Sequence, residues 1–312
     1  MKLIISPRKH QFQLADPVVL TTGNFDGVHL GHQALLTRVK QLAAELNSVS
    51  AVLTFSPHPA QVLRPQEKFC RLFDSDDQNA QLALHGIAYT VVETFDAELA
   101  SWPAEKFLRD YVMHHFNVKA FVVGHDFRFG AAKGGDLELL ASEGLRGCFL
   151  TEVVPALRID EQIVSSSAIR ELIRNGQPQI AAKFLGRPYC INGKVVKGHQ
   201  RGRQIGFPTA NIEMERPDII IPKQGVYATM VGINGKTYPA VSNLGVRPTF
   251  ADQSKSSLVL ETHLFDFAED IYGREVSIYL HRFLRDEIRF ANIQKLQEQI
   301  AVDVVNAKRV FK

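Results

Sequence analysis

The stretch VVLTTGNFDGVHLGHQALL (Val18–Leu36) decides the fold of the first half of this chain. It opens with an apolar run, VVLTT, whose length and β-branched content are typical of a buried strand. A glycine-rich turn follows, and the spacing of apolar residues in QALLTRVKQLAAEL (Gln33–Leu46) then predicts a helix. A strand that passes through such a turn into a helix is the opening unit of a parallel α/β domain.

The same alternation of strands and helices continues outward to about Gly176. Apolar runs predict strands at Val49–Phe55, Ala88–Glu93, Lys119–Gly124 and Gly147–Val154, and helical patterns lie at Ala104–His115, Asp136–Gly144 and from Ser165 onward. Short apolar strands that alternate with helices indicate a parallel sheet covered on both faces. The first half is therefore predicted to be a Rossmann-like α/β domain.

After Pro188 the pattern changes to one strand after another. Apolar runs predict strands at Leu258–Phe265 and Arg274–Arg285. The pairs Asn192-Gly193 and Asn234-Gly235 each carry the strongest short signal for a β-hairpin. Short strands joined by turns predict a small antiparallel β-barrel.

Helical segments border this barrel on both sides. Gln179–Leu185 is the predicted junction between the halves, and Asn292–Ala307 closes the chain. A length of 312 residues, at roughly 100–200 residues per domain, fits two domains. We place them at residues 1–184 and 185–312.

Composition excludes several classes of protein. A balance of 36 Lys+Arg against 33 Asp+Glu is too even to predict a nucleic-acid surface. The three cysteines, Cys70, Cys148 and Cys190, form no CxxC pair, which argues against a thiolate zinc site and a disulfide framework. The apolar run Leu3–Ile5 is too short for a signal peptide, and no run approaches the ~20 residues of a membrane span. We expect a cytoplasmic protein.

Three glycines and two histidines mark the turn after the first strand. Gly23, Gly27 and Gly31 permit tight turns and the close approach of a ligand to the backbone. His29 and His32 stand where a helix begins, and free N–H groups there favour phosphate. Two imidazoles can donate hydrogen bonds to a transferring phosphoryl group. The alternative is a glycine-rich turn with two incidental histidines; a metal pair is disfavoured because no third ligand stands at ligand spacing.

Polar clusters follow the other predicted strands as well. FSPHP follows the second strand, GHDFRFG follows the fourth, and VSSSAIRELI opens a helix with three hydroxyls and an arginine. Ligands of open α/β sheets bind outside the carboxyl ends of the strands, where these clusters would gather. Serines before a helix are commonly only N-caps, and that alternative remains for this motif. The absence of GxxxxGK[ST] excludes a P-loop enzyme.

The segment KGHQRGRQIGFPTANI (Lys197–Ile212) is the densest unusual stretch of the second half. Its glycines alternate with basic residues, as in a flexible loop that holds a polyphosphate. Thr209 and Asn211 would point to the same side of an extended segment. Their oxygens suit Mg²⁺, which mostly keeps phosphates and waters as its other ligands. The alternative is a basic surface loop that ends at an edge strand.

Glu261 interrupts LVLETHLF, an otherwise apolar strand. The alternation along this strand leaves open whether the carboxylate faces solvent or a site. If it faces a site, it can take a hydroxyl proton while Mg²⁺ holds the phosphates. The loop SNLGVRPTF adds Asn243 and Arg247.

Four motifs in order carry a family resemblance over roughly residues 18–176. GNFDGVHLGH resembles the HxGH signature of the nucleotidyltransferase superfamily. Together with FSPHP, GHDFRFG and SSSAIRE it resembles the adenylyltransferase half of bacterial bifunctional riboflavin kinase/FAD synthetases. The resemblance implies that FMN is joined to the AMP moiety of ATP with release of pyrophosphate. The implied site residues are His29 and His32 for catalysis, Gly23, Asn24, Phe25, Asp26, Gly27, Ser166, Ser167 and Arg170 for nucleotide phosphates, and His58, Asp126 and Arg128 for the flavin.

The second half resembles the flavokinase fold of the same family, through GRQIGFPTAN, GVYA, SNLGVRPTF, ETHLFDF and IYGREV over roughly residues 187–312. The resemblance implies a six-stranded antiparallel barrel with a C-terminal helix. It further implies that Thr209 and Asn211 hold Mg²⁺ with ATP and that Glu261 is the base for the ribityl hydroxyl of riboflavin. The remaining predicted contacts are Gly198 and Arg203 to the nucleotide and Asn243 and Arg247 to the flavin.

Both halves predict one bifunctional transferase of FMN and FAD synthesis whose partners are ATP, riboflavin and FMN, with no nucleic acid and no membrane. One alternative is a nucleotidyltransferase for another phosphate whose β half only senses flavin. Thr209, Asn211 and Glu261 argue against it, because a sensor needs no base. The other is a nucleic-acid-binding protein that uses the Lys197–Arg203 loop, which the near-neutral charge disfavours.

Overall fold

The computed structural model of this chain describes residues 1–10, 12–198, 202, 205–214, 218–248 and 256–312. The chain separates into two compact units, Met1–Ser166 and Ser167–Lys312. The boundary at 184/185 that the sequence predicts stays a prediction. Within the described residues, no helix is both long enough and apolar enough to cross a membrane.

The first unit is built on a six-stranded sheet in which every neighbouring pair is parallel. Its strands, in the spatial order β1-β4-β3-β2-β5-β6, are β1 (Lys2–Ile5), β2 (Leu14–Thr22), β3 (Val49–Ser56), β4 (Tyr89–Thr94), β5 (Phe116–Gly124) and β6 (Leu150–Val154). Val18 and Leu20 pack into one hydrophobic cluster and Val19 into another. Because β2 is buried on both faces, its sequence reads as a continuous apolar run. The predicted parallel α/β domain is confirmed.

Helices connect these strands and cover the sheet. They are α1 (Leu30–Glu45), α2 (Pro59–Leu63), α3 (Ser75–Leu84), α4 (Ala97–Ala100), α5 (Ala104–Lys106), α6 (Met113–His115) and α7 (Leu137–Gly147). A π-helical stretch, Phe107–Val112, joins α5 to α6, so the helix predicted at 104–115 is present in this modified form. A short antiparallel pair, β7 (Arg158–Ile159) and β8 (Gln162–Ile163), follows β6.

The strand order reverses between β2 and β5. Strands β3 and β4 lie on one side of β2, and β5 and β6 lie on the other. The connections leave the sheet in opposite directions at this point, which opens a crevice at the carboxyl ends of β2 and β5. The segments that follow these two strands are the GNFDGVHLGH loop and the GHDFRFG loop.

The second unit is a closed antiparallel barrel with the strand order β10-β13-β12-β11-β14-β9. Its strands are β9 (Tyr189–Val196), β10 (Ala210–Glu213), β11 (Gly225–Ile233), β12 (Lys236–Pro248), β13 (Ser256–Leu264) and β14 (Glu275–Arg285). The helix α8 (Ser166–Arg174) leads into this unit, and α9 (Pro178–Leu185) packs against β9 and β14. The predicted six-stranded barrel is confirmed.

The two Asn-Gly pairs adopt different structures. Asn234 and Gly235 form the two-residue turn between β11 and β12, with φ of 50° and 77°, as the sequence predicts. The hairpin predicted at Asn192-Gly193 is wrong, because both residues lie inside β9 and Gly193 pairs with Val276 of β14. A Cβ at Gly193 would lie only 2.6 Å from the side chain of Ile212. This glycine serves a close approach between strands rather than a turn.

The chain closes with the helix α10 (Ile293–Val310), capped by Asn292. It packs on the barrel wall formed by β11, β12 and β14 through a cluster that includes Val226, Val241 and Ala307. Asp303 of this helix is 3% exposed, and its carboxylate accepts hydrogen bonds from Nε and Nη2 of Arg285. A bidentate pair of this kind fixes the helix on the barrel in one orientation.

Candidate active sites

The loop between β2 and α1 has an unusual backbone. Phe25, Gly27 and Val28 have φ of 48°, 87° and 39°. Val28 is β-branched, and such residues are rarely found in the left-handed region. For residues other than glycine, such as Phe25 and Val28, conformations of this kind cost about 1–3 kcal/mol each and persist where the surrounding structure holds them in place. The surrounding structure therefore holds the backbone of this loop in place.

His29 and His32 lie against each other where α1 begins. Their rings stack with centroids 3.6 Å apart and planes 16° from parallel, and Nδ1 of His29 accepts a hydrogen bond from the backbone N–H of His32. Burial, and then the neighbouring His29, lower the pKa of His32 well below 6.5. Nδ1 of His32 is buried and has no hydrogen-bond partner in the described part of the chain. A neutral His32 can still donate one hydrogen bond from its ring.

Asp26 and Ser166 bring two of the sequence motifs together. The hydroxyl of Ser166, the last residue of the first unit, donates to the carbonyl oxygen of Asp26 at 2.8 Å and so contacts the loop between β2 and α1. The Asp26 carboxylate is 2% exposed and accepts the backbone N–H of Leu72. Ser167 and Arg170 follow Ser166 on α8 within the second unit, and their roles stay predictions.

Sequence reasoning missed a buried polar network behind this loop. Nε2 of Gln78 donates to the carbonyl oxygen of Asn24 at 3.1 Å and to Oγ1 of Thr54 at 3.2 Å. The guanidinium of Arg71 in turn donates to Oε1 of Gln78. No motif marks these residues; the only signal was the position of Arg71 directly before the apolar pair Leu72-Phe73.

The predicted flavin contacts follow the two strands beside β2. His58 comes after β3, caps α2 through Nδ1 and stacks on Phe69 with ring centroids 4.2 Å apart. Asp126 and Arg128 come after β5 and are exposed. Since β3 and β5 flank β2, all three residues follow strands that end at the edge of the sheet where the stacked histidines lie.

Three polar side chains lie side by side on the barrel. Asn211 of β10 is directly opposite Glu261 of β13, and Glu261 is directly opposite Asn243 of β12. Directly paired residues of antiparallel strands project from the same face of the sheet. The row Asn211–Glu261–Asn243 therefore forms one polar strip across three strands.

This strip lies on the outer face of the barrel. The sequence neighbours Ser242 and Thr262 are fully buried, and their hydroxyls hydrogen-bond to each other at 2.8 Å. Side chains alternate along a strand, so Asn243 and Glu261 point away from that interior. The sequence alternation left open which way Glu261 points. The strand register shows that it points to the same side as Asn211 and Asn243.

Gly198 and Gly202 lie close to Asn211 and Thr209, respectively. A Cβ at Gly198 would overlap the side-chain amide of Asn211, and one at Gly202 would lie 3.0 Å from Oγ1 of Thr209. Glycine is needed at both positions because only hydrogen fits there. Arg203 and the side chain of Arg247 lie outside the described residues.

Two further residues support this strip and were not predicted. Nδ1 of His263 lies 2.8 Å from the carbonyl oxygen of Pro208, the residue before Thr209. Glu287 accepts a hydrogen bond from Nδ2 of Asn243 at 3.2 Å. Oδ1 of Asn243 is then left buried without a partner among the residues that can be described. Buried acceptors are rarely left unpaired in folded proteins, so Oδ1 of Asn243 takes a donor from outside these residues, a ligand or a water.

The comparisons with known proteins cover both units. The riboflavin kinase family model matches residues 185–311, and the FAD synthetase model matches residues 11–168. The bifunctional riboflavin kinase/FMN adenylyltransferase of Haemophilus influenzae is 39% identical over 94% of each chain. The Bacillus subtilis protein of the same name is 37% identical over 94% of this chain and 92% of its own. A crystal structure described as a macrolide-efflux protein from Streptococcus pneumoniae has a TM-score of 0.91 at 29% identity and covers 99% of each chain.

The chain carries a glycine-rich loop on a parallel sheet and, further along, a carboxylate flanked by amides on a closed barrel, and both matching family models are those of transferases. The two family models match these units in the same order. The chain belongs to the bifunctional riboflavin kinase/FMN adenylyltransferase family.

Proposed function

We propose that this chain phosphorylates riboflavin with ATP to give FMN at the barrel, and adenylylates FMN with a second ATP to give FAD at the α/β unit. Membership of the family supports both reactions. The observation that carries the residue assignment is the register that aligns Asn211, Glu261 and Asn243 on one face. The expected partners are small molecules alone, and a cytoplasmic location stays a prediction.

At the barrel, Glu261 takes the proton of the ribityl hydroxyl. The freed oxygen attacks the γ-phosphorus of ATP, and ADP leaves. Asn243, beside Glu261, accepts a hydrogen bond from the flavin substrate through Oδ1, and Arg247 is assigned to the same ligand. Gly198 and Arg203 are assigned to the phosphates of ATP. In phosphoryl transfer a carboxylate commonly accepts the proton of the attacking hydroxyl, while a metal ion holds the phosphates.

The residues beside Glu261 fit a magnesium ion bound with ATP. Thr209 and Asn211 offer a hydroxyl and an amide oxygen, which are hard ligands. The described residues hold no group of three or more His, Cys, Asp or Glu that could enclose a metal ion. Two protein oxygens leave room for phosphates and waters, the ligands that Mg²⁺ prefers to keep. When bound, the ion would neutralise charge on the phosphates.

At the α/β unit, a phosphate oxygen of FMN attacks the α-phosphorus of ATP, and pyrophosphate leaves. His29 and His32 donate hydrogen bonds to the charge that develops on the phosphoryl group. Residues 23–27, with Ser166, Ser167 and Arg170, hold the departing phosphates. The backbone N–H of Gly23 is not one of the donors, because it donates to the carbonyl oxygen of Leu53 at 3.1 Å. His58, Asp126 and Arg128 contact the flavin. The reaction needs no strong base, because the attacking phosphate is already ionised.

One assay tests the function. The protein is incubated with riboflavin, ATP and Mg²⁺, and the flavins are separated over time. We expect FMN to form first and FAD to follow. FAD from supplied FMN without any FMN from riboflavin would overturn the kinase assignment, and FMN without FAD would overturn the adenylyl assignment.

A further inference from the structure

A buried arginine lies behind the segment between β2 and α1, residues 23–29, which we call the nucleotide loop. The proposed reactions give this arginine no role. Arg71 is 7% exposed, and its guanidinium donates to Oγ of Ser75 at 2.9 Å and to Oε1 of Gln78 at 2.6 Å. Both acceptors are neutral. Across the described ranges, Nε of Arg71 has no hydrogen-bond partner and no carboxylate is in ion-pair contact with the side chain.

Arg8 of the same unit shows the ordinary arrangement of a buried arginine. Its side chain is 12% exposed and lies within 4 Å of three carboxylates, those of Glu93, Asp96 and Glu98. A buried cation without such partners is costly, because water is removed and nothing of opposite charge replaces it. The positive potential of Arg71 is therefore available to an anion bound nearby.

The segment that contains Arg71 contacts the nucleotide loop at two points. Gln78, which is 5% exposed, links Arg71 to the carbonyl oxygen of Asn24. The backbone N–H of Leu72 binds the carboxylate of Asp26. Asn24 and Asp26 flank Phe25, the first residue of the strained part of the loop. A shift of Arg71 is thereby transmitted to the loop through two short hydrogen-bonded links.

We propose that Arg71 is a positioning residue of the adenylyl-transfer site, which orients the loop through Gln78 and favours a polyphosphate there by its unpaired charge. The inference rests on the proposed function of the α/β unit. It assigns to this site a buried cation that no sequence motif marks. The ligand chemistry that it serves is the triphosphate of ATP and the pyrophosphate that leaves.

The test compares Arg71→Gln, which removes the charge, with Arg71→Lys, which keeps it. Arg38→Gln is the matched control, because Arg38 lies in the same unit and pairs with Glu45 and Glu152. FAD formation from FMN and ATP is measured in the full chain. We expect Arg71→Gln to raise KM for ATP about tenfold, as removal of a partly screened charge should. Arg71→Lys should stay within about threefold of wild type, and Arg38→Gln should not change KM.

A second readout needs no turnover. Inorganic pyrophosphate should raise the unfolding temperature of the wild-type protein and of Arg71→Lys, and should do so much less for Arg71→Gln. A purely structural arginine would leave this shift intact, so an undiminished shift in Arg71→Gln overturns the inference. An unchanged KM in that variant does the same. If wild type makes no FAD, the proposed function fails, whereas the pyrophosphate shift still tests the inference.

If Arg71→Gln does not fold, Gln78→Met replaces it. This variant keeps Arg71 and cuts its link to Asn24. We expect a raised KM for ATP in Gln78→Met with FMN formation from riboflavin unchanged. A KM equal to that of wild type would show that the link does not orient the loop.

Discussion

The two sites of this chain are built in opposite ways. The proposed adenylyl site is a loop at the carboxyl end of β2, with three residues at positive φ and hydrogen bonds from Leu72, Gln78 and Ser166 that hold it. The proposed kinase site is a row of side chains on three paired strands. A loop needs support from distant segments, whereas the hydrogen bonds between paired strands position a row of side chains directly. The activity of the first site should therefore be sensitive to substitution of the residues that support the loop. The activity of the second should be sensitive to substitution of the residues of the row itself.

The largest effect is expected within the row. Glu261→Gln keeps size and polarity and cannot accept the proton, so FMN formation should fall by about 10²–10⁴-fold. FAD formation from supplied FMN should continue, since it uses the other site. Product analysis from riboflavin and from FMN measures both. Glu275→Gln, an exposed change on the same barrel, is the control; near wild-type kinase turnover in Glu261→Gln would show that Glu261 is not the base.

The next largest effect is expected from substitution of the stacked histidines at the end of the nucleotide loop. His29→Ala or His32→Ala should lower FAD formation by about 10²–10³-fold, the loss typical of a donor to transition-state charge. FMN formation should remain near wild type. The same two assays measure this, with His114→Ala as a control on an exposed histidine of the same unit. A folded variant that lost both activities would contradict two separate sites.

The support of the barrel can be tested with two fragments, 167–312 and 185–312. Both should fold and phosphorylate riboflavin, because the barrel strands and α10 are contiguous in sequence. The shorter fragment lacks Phe184, which is 1% exposed and belongs to the helix packed on β9 and β14. Loss of a buried phenylalanine costs about 3–5 kcal/mol, so the shorter fragment should be less stable by at least that amount. Equal urea midpoints by circular dichroism would instead favour the boundary at 184/185.

A smaller effect is expected from Gly198→Ala. Its Cβ would overlap the amide of Asn211, so either the loop or the amide must shift. We expect kinase kcat to fall about tenfold, in line with the sensitivity of reacting groups to small misplacements. Gly232→Ala, whose Cβ would lie 3.2 Å from a tyrosine side chain of the same barrel, is the control. Equal kinase rates in the two variants would show that the loop can move freely.

The smallest effect concerns pH. The pKa of His32 is lowered in the folded chain, so below about pH 6.5 the unfolded state binds more protons at this residue. His32 therefore stabilises the fold less as pH falls through 6.5, and His32→Asn should flatten this dependence. Trp102, the single tryptophan, reports unfolding of the α/β unit by fluorescence. Identical slopes between pH 5 and 7 for both proteins would refute this prediction.

Much of the fold could be predicted because its signals are local. Apolar runs such as Val18–Thr22 and the turn at Asn234-Gly235 encode their structures within a few residues, and the structure confirms both. The hairpin at Asn192-Gly193 was wrongly predicted because a glycine serves equally as a turn residue and as a point of close approach. Ile212 and Glu213, which make that approach necessary, are distant in sequence.

The sequence by itself determined that strands alternate with helices in the first half and follow one another in the second, and it displayed the motifs of both halves, because apolar runs, glycine spacing and helix starts are local features. Only the tertiary structure decided which way Glu261 faces and that Arg71 and Gln78 lie behind the nucleotide loop. Strand register and burial depend on contacts between segments far apart in the chain. Such long-range contacts leave no local pattern in the sequence, so they can be identified only in the folded chain.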